Sequence, residues 1–354
     1  MNLLKTFYRS PVATLATWLL LLIVAVLSGT AVADASVTAT AHRATGGFTV
    51  TSLLVAGMII NVQNIQGLTT GFKTLFNGAF QAAESFWNRV ATEVPSGTKT
   101  ETYAWLGMST RFKEWLGERV VQNLGQHGFS ITNKDFENTV GVKRSDIEDD
   151  TYGVYSPLFK QLGYDAAVHP DELVFDLLKN AHQTLGYDGQ NFFDTDHPVV
   201  DAAGAVQNVA NYVTGAGPLW ALIDTSKPIK PLILQRRKPY TFTAMDKDTD
   251  DNVFRRNEYL YGADGRLNVG VGLWQLAHGS RAVLTAANYK LARAAMRNFT
   301  ADGGKKLNIM PKLLVVGPTL EGEANALVKA QKDAAGADNI WHGTADVVVV
   351  PWLE

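Results

Sequence analysis

The stretch from Thr98 to Glu137 restricts the fold most, because Gly107, Gly117, Gly125 and Gly128 interrupt a series of large rings, Tyr103, Trp105, Phe112 and Trp115. Glycine weakens any helix it interrupts. Lys99, Arg111, Lys113, Glu114 and Arg119 are interleaved with the rings, and this alternation predicts an extended hairpin with two unlike faces. Such a segment has little room to bury both tryptophans within itself. Large aromatics with arginine in this setting anchor contacts between proteins, so Tyr103, Trp105, Phe112, Trp115 and Arg119 are the candidate contact residues. The competing reading folds the same rings back onto the chain's own core.

The segments on either side frame the hairpin. Before it, Leu68, Phe72, Leu75, Phe76, Ala79, Phe80, Ala83 and Phe86 recur at three- and four-residue steps, the mark of an amphipathic helix or helical arm. Gly71 and Gly78 weaken it, so completion against neighbouring molecules is an alternative to a stable isolated helix. After the hairpin, Phe136, Val140 and Val142 alternate with Glu137, Thr139 and Lys143, as in a half-buried strand. The acidic run Asp146, Glu148, Asp149 and Asp150 is expected at a helix start, where carboxylates oppose the dipole.

Residues 152–185 then read as one long helix or two in line. Pro170 is expected in a first turn with Asp171 and Glu172 at the amino end, and Val174, Leu177, Leu178, Ala181 and Leu185 form one stripe. Residues 187–218 read as loops. Short apolar runs follow at Leu232–Leu234, Tyr259–Tyr261 and Val269–Leu276, on either side of a polar loop at 246–252. Thr285 can cap a helix with Leu291, Ala292, Ala295, Met296 and Phe299 inward and Lys290, Arg293 and Arg297 outward. Asp302-Gly303-Gly304 stops it. Lys312–Val316 reads as a buried strand, 319–332 as a helix and Val347–Val350 as a last strand. The whole is a mixed α+β chain without a detectable repeat.

Composition limits the chemistry. Lys plus Arg (32) nearly balance Asp plus Glu (34), so there is no broad basic field for phosphates. Cysteine is absent, which removes disulfides and thiolate sites together. The seven histidines show neither HxxxH nor HExxH spacing. Asp246, Asp248 and Asp250 begin like a calcium loop, but Asp251 stands where the sharp turn needs glycine and Asn257 where a bidentate glutamate belongs. Asp194, Asp196 and His197 could serve a metal or a general base, though a turn ahead of Pro198 explains them more simply. Glu148, Asp149 and Asp150 lack an adjacent nucleophile. GxSxG, P-loop and GxGxxG motifs are absent, and Gly303-Gly304-Lys305-Lys306 has only half of a phosphate loop. The cluster Arg236-Arg237-Lys238 is a solvated or interface patch, with loose contact to DNA as the alternative. These failures predict a structural chain with no cofactor, metal or small-molecule substrate.

The amino-terminal segment stands apart. Lys5 and Arg9 precede an apolar run from Thr14 to Leu27, and Ala31-Val32-Ala33 has the form of a signal-peptidase site. Extended to Ala33, the run also has the length of a single membrane anchor. Met58 before Ile59-Ile60 resembles a natural start, so residues 1–57 are expected to be a signal-like or misannotated leader.

Several blocks, in order, resemble the major head protein of Mu-like phages. They are Thr102-Tyr-Ala-Trp-Leu-Gly107, Phe112-Lys-Glu-Trp-Leu-Gly117-Glu-Arg119, and Phe136-Glu137 with Val140 to Asp150. Pro170-Asp-Glu-Leu-Val-Phe175, Tyr187-Asp-Gly-Gln-Asn-Phe-Phe-Asp194 and His197-Pro198 continue the likeness. Lys230-Pro-Leu-Ile233 with Gln235 to Lys238, Asn257-Glu258 and Gly303-Gly-Lys-Lys-Leu307 complete it. The resemblance covers about residues 61–354 and implies a Hong Kong 97-type capsid fold. Its parts would be an N-terminal arm at 58–95, an extended loop at 96–135, a peripheral-domain strand and spine helix at 136–185, and an axial domain at 186–354 with return strands. It further implies hexamers and pentamers of the chain itself, built with a scaffold protein, a portal and possible decoration protein around loosely held double-stranded DNA. Assembly would take place in the host cytoplasm, and the product would be a virion shell. Two other readings stand beside it: a secreted or membrane-anchored binding protein targeted by residues 1–33, and a metal-dependent hydrolase using Asp194, Asp196 and His197.

Overall fold

The spacing of Leu68, Phe72, Leu75, Phe76 and Phe80 is realised as helix α1 (Val62–Ala82) in a computed structural model that describes residues 62–104, 106, 128–149 and 153–354. All of them belong to one unit, Gly57–Glu354, and the expectations placed on residues 1–57 lie outside the described residues. After α1 come β1 (Ala91–Pro95), β2 (Lys134–Lys143), α2 (Ser156–Lys179), β3 (Tyr212–Val213), β4 (Trp220–Ile223), β5 (Leu232–Met245) and β6 (Glu258–Val271). β7 (Ala277–Ser280), α3 (Ala286–Asn298), β8 (Leu313–Val316), α4 (Glu321–Val328) and β9 (Asp346–Val349) follow.

Two sheets organise the chain. The first has the order β1-β5-β6-β2, with β1 parallel to β5 from Ala91↔Leu232 and the other pairs antiparallel. The second has the order β9-β8-β4-β7-β3. β4, β7 and β8 are buried along their whole length; β4 and β8 accordingly read as continuous apolar runs, while β7 buries His278 and Ser280. β6 alternates half-buried and buried residues, the period of a strand with one face on a core.

Helix α2 joins three patches of core. Phe159 packs with Phe72, Tyr259 and Tyr261, while Leu162 and Ala166 pack with Phe76 and Ala263. Val174, Phe175 and Leu178 enter the large core of the second sheet, with Trp220, Leu222 and Val315. α1 lies directly on α2: Phe72 and Phe159 stack at 3.9 Å between ring centres. Gly163 permits this approach, because a Cβ there would collide with the Phe76 carbonyl oxygen and lie 3.0 Å from the Phe76 Cα.

Several expectations are corrected. Pro170 lies inside α2, not in a first turn. It removes the amide that would bond the Ala166 carbonyl, yet packing on both halves carries the helix through. Asp171 does serve a helix amino end, but that of the short helix Trp87–Val90, where it accepts from the Phe86 amide at 3.0 Å and the Trp87 amide at 2.6 Å. The acidic run meets its expectation only in Asp146, which lies in the first turn of a separate short helix, Arg144–Glu148, while Asp149 falls at that helix's carboxyl end. On α3, Thr285 caps as expected. Leu291 is exposed, and Tyr289 takes the inward position. Arg293 also turns in, because the Pro311 and Thr344 carbonyls and the Tyr289 hydroxyl offer acceptors at 2.8, 3.2 and 3.1 Å. Residues 187–218 include a hairpin, His197–Val200 with Val206–Val209, besides β3.

Candidate assembly surface

Where the sequence predicts the aromatic hairpin to begin and end, a short antiparallel ladder pairs Thr100–Thr102 with Ser130–Thr132. Polar side chains tie this root to the first sheet. The Glu101 carboxylate accepts from Ser96 Oγ at 2.9 Å and from the Gly97 and Thr98 amides at 2.8 and 2.9 Å. Hydrogen bonds from the Thr98 amide, the Ser96 hydroxyl and the Gly97 amide hold its carboxyl down at about 2. Asn133 Nδ2 donates to Ser96 Oγ and the Thr98 carbonyl, closing the turn from the other strand.

Tyr103 sits just inside the root, 2% exposed. Its amide donates to the Phe129 carbonyl at 2.8 Å, and its hydroxyl donates to Gln235 Oε1 at 2.8 Å. Gln235 in turn donates to the Ile131 carbonyl, so one buried amide links both strands of the root to β5. Burial pushes the Tyr103 phenol up to about 12. Tyr103 therefore packs with Leu106, Ile131 and Ile233 of its own chain. Trp105, Phe112, Trp115 and Arg119 lie outside the described residues.

The polar clusters singled out from sequence go to separate partners. Asp246 accepts from Thr69, Asp248 pairs with Arg144 at 3.0 Å, and Asp250 accepts the Lys247 amide. His197 is fully buried against Trp274, with Nδ1 at 2.7 Å from Asp188 and Nε2 at 3.2 Å from Asn211. Asp194 accepts the Thr195 and Asn191 amides, as a turn residue does. In the basic cluster, Arg236 pairs with Glu93 at 2.8 Å and lies over the Trp87 ring, and Lys238 pairs with Asp264. Arg237 is exposed.

Sequence reasoning missed two features. Gln235 and Asn133, which join the hairpin root to the sheet, are polar residues whose importance comes from partners distant in sequence. Phe254 is 84% exposed at the tip of the β5–β6 hairpin, and an aromatic inside a stretch rich in charge was its signal. Among the described residues, no helix is long and apolar enough to cross a membrane.

The model of the Mu-like prophage major head subunit gpT family matches residues 65–353. The major capsid protein of Escherichia phage Mu is 41% identical over 305 residues, covering 84% of this chain and 100% of its own length. The major head subunit of the Mu-like prophage FluMu of Haemophilus influenzae is 41% identical over 285 residues, covering 78% of this chain and 92% of its own length. In the procapsid of bacteriophage JBD30, the matching chain superposes with a TM-score of 0.74 at 48% identity, covering 83% of this chain and all (100%) of that one. The JBD30 capsid gives 0.67 at 38% identity, with 84% and 100% covered. The α+β class and the Hong Kong 97-type capsid fold implied by the resemblance are thereby borne out. The secreted or membrane-anchored alternative finds no support in these likenesses. With a family model across most of its length and head proteins as its relatives, the chain belongs to the Mu-like major head subunits and is a structural component of the virion capsid.

Proposed function

We propose that the subunit closes an icosahedral shell as hexamers and pentamers, and that cohesion comes from the aromatic segment after Tyr103 reaching a neighbouring subunit. The observation that carries this reading is the tied root at Ser96–Tyr103 and Phe129–Asn133, which fixes the direction in which the segment leaves the sheet. A fixed departure lowers the ordering cost of an inter-subunit contact. With Cys 0 in the sequence, no disulfide contributes. Many modest contacts, repeated by symmetry, then supply the strength.

In this reading residues 58–95 are the arm, 96–135 the extended loop, 136–185 the peripheral strand and spine helix, and 186–354 the axial domain. The pairing of β5 and β6 with β1 and β2 supports the assignment of return strands. A scaffold protein and a portal would direct assembly in the host cytoplasm. JBD30 heads are solved both as a procapsid and as a capsid decorated with minor capsid protein trimers, which supports a precursor shell and a decoration partner here. Packaged double-stranded DNA would touch the shell loosely, since the chain's net charge is -2. The role is non-catalytic, without small-molecule substrate.

Trp105→Ala and Trp115→Ala should each leave a soluble, folded subunit and lower the yield of particles seen by electron microscopy. Full particle yield from both would overturn the role given to this segment.

A further inference from the structure

Phe254, 84% exposed, is the most exposed large hydrophobic side chain among the described residues. It belongs to the short helix Asp251–Arg256 at the tip of the β5–β6 hairpin, followed by Arg255 and Arg256. The tip is held firmly. Asn252 Nδ2 bonds the Met245 and Glu258 carbonyls at 2.9 and 2.7 Å, Val253 is buried, and Asn257 ends the helix in the left-handed region at φ 54°. The acids of the preceding loop are turned to Thr69, Arg144 and the Lys247 amide. Asp251 pairs with Arg255 at 2.6 Å. The hairpin thus presents a preorganised ring beside a pair of arginines.

A complementary recess exists elsewhere on the same chain. Between α2 and the first sheet lies a cavity of about 350 Å³ with Phe136, Leu162 and Ala166 on its walls. Glu137, Asp165 and Glu172 also line it and are exposed, and no lysine or arginine is among its described lining residues. The chain's own tip cannot fill it. Ala263, on the cavity wall, is five residues along β6 from Glu258, about 17 Å at the rise of a strand.

We propose that Phe254 of one subunit inserts into this recess on a second copy of the chain, with Arg255 and Arg256 facing Glu137, Asp165 and Glu172. The proposal rests on self-assembly of the subunit and adds a specific head-to-tail contact to it. Tip and recess are different surfaces, so the contact is heterologous: each subunit gives a tip to one neighbour and a recess to another, and rings or open arrays result. Ring burial supplies attraction, and the opposed charges supply register.

Charge exchange tests it. Phe254→Ser, the pair Arg255→Glu with Arg256→Glu, and the pair Glu137→Arg with Glu172→Arg should each leave the subunit's circular dichroism unchanged and cut particle yield at least tenfold. Combining the two charge reversals should restore at least half of the unaltered yield. Because the chain has no cysteine, Arg256→Cys with Glu172→Cys should give a ladder of covalent multimers on mild oxidation of assembled particles. Full yield from Phe254→Ser, absence of rescue, or monomers alone after oxidation would each overturn the proposal. Loss of yield from the recess reversal only, with the tip reversal harmless, would assign the recess another occupant and overturn it too. Failure of the unaltered chain to form particles would strike the self-assembly reading instead.

Discussion

Acidification should weaken the second sheet through His278. This residue lies on β7, 4% exposed, and its Nδ1 has no hydrogen-bond partner. Burial lowers its imidazole from the ordinary 6.5 to about 4, against a smaller upward pull from its own backbone. Between those values the folded chain holds fewer protons than the unfolded chain, so stability is full above 6.5 and declines as pH falls. At pH 5 the unfolded imidazole is almost wholly protonated and the folded one almost wholly neutral. The difference in proton binding then costs about 2 kcal/mol, approaching about 3 kcal/mol at pH 4. Urea unfolding of dispersed subunits reports on it, because Trp220 and Trp274 are in the core of this sheet and their fluorescence changes on exposure. The unaltered chain and His278→Leu should be compared at pH 7.5 and pH 5. The substitution also removes an unpaired polar atom, so at pH 7.5 it should cost little. Its loss of stability on acidification should be smaller by about 2 kcal/mol. Equal acid sensitivity in both proteins would refute the reasoning.

Other consequences follow from single contacts. Gly163→Ala should separate α1 from α2 and cost about 1–3 kcal/mol despite the better helix propensity of alanine, with a lower unfolding midpoint as the readout. Asp171→Ala leaves the Phe86 and Trp87 amides without their acceptor and should cost about 2–4 kcal/mol. Hydrogen exchange should show that loss first at residues 86–90. Glu101→Gln should speed exchange at the Gly97 and Thr98 amides. The Glu101 carboxylate lies below its ordinary 4.5, at about 2, so its support of the hairpin root is present above 4.5 and lost as pH falls toward 2. The Gln variant should lack that acid dependence.

The elements with strong local signals were legible in the sequence. Phe72, Phe76 and Phe80 announced α1, Thr285 announced the start of α3, and the apolar run ending at Val316 announced β8. What failed had causes distant along the chain. Pro170 reads as a helix start in isolation, and only packing of both halves of α2 explains its interior position. Arg293 reads as an outward charge, yet the Pro311 and Thr344 carbonyls draw it in. β5 and β6 each run 14 residues, where sequence suggested short runs. The exposed stretch of β5 hides its strand character: Pro239 interrupts the pattern and coincides with a register shift opposite Asp264–Leu267. For the candidate surface, glycine and tryptophan spacing marked out the stretch whose flanking strands, Thr100–Thr102 and Ser130–Thr132, pair with each other. The Glu101, Asn133 and Gln235 contacts that tie its root could not be read locally, because each depends on a partner brought near by the sheet.

The central claim, that this chain is a shell subunit held by repeated contacts, is tested most directly by electron microscopy of the assemblies that the expressed chain forms. Closed shells whose surface resolves into hexamers and pentamers, with density from residues 107–127 crossing onto a neighbouring subunit, are the predicted result. Soluble monomers, or shells in which that segment stays within its own subunit, would contradict it.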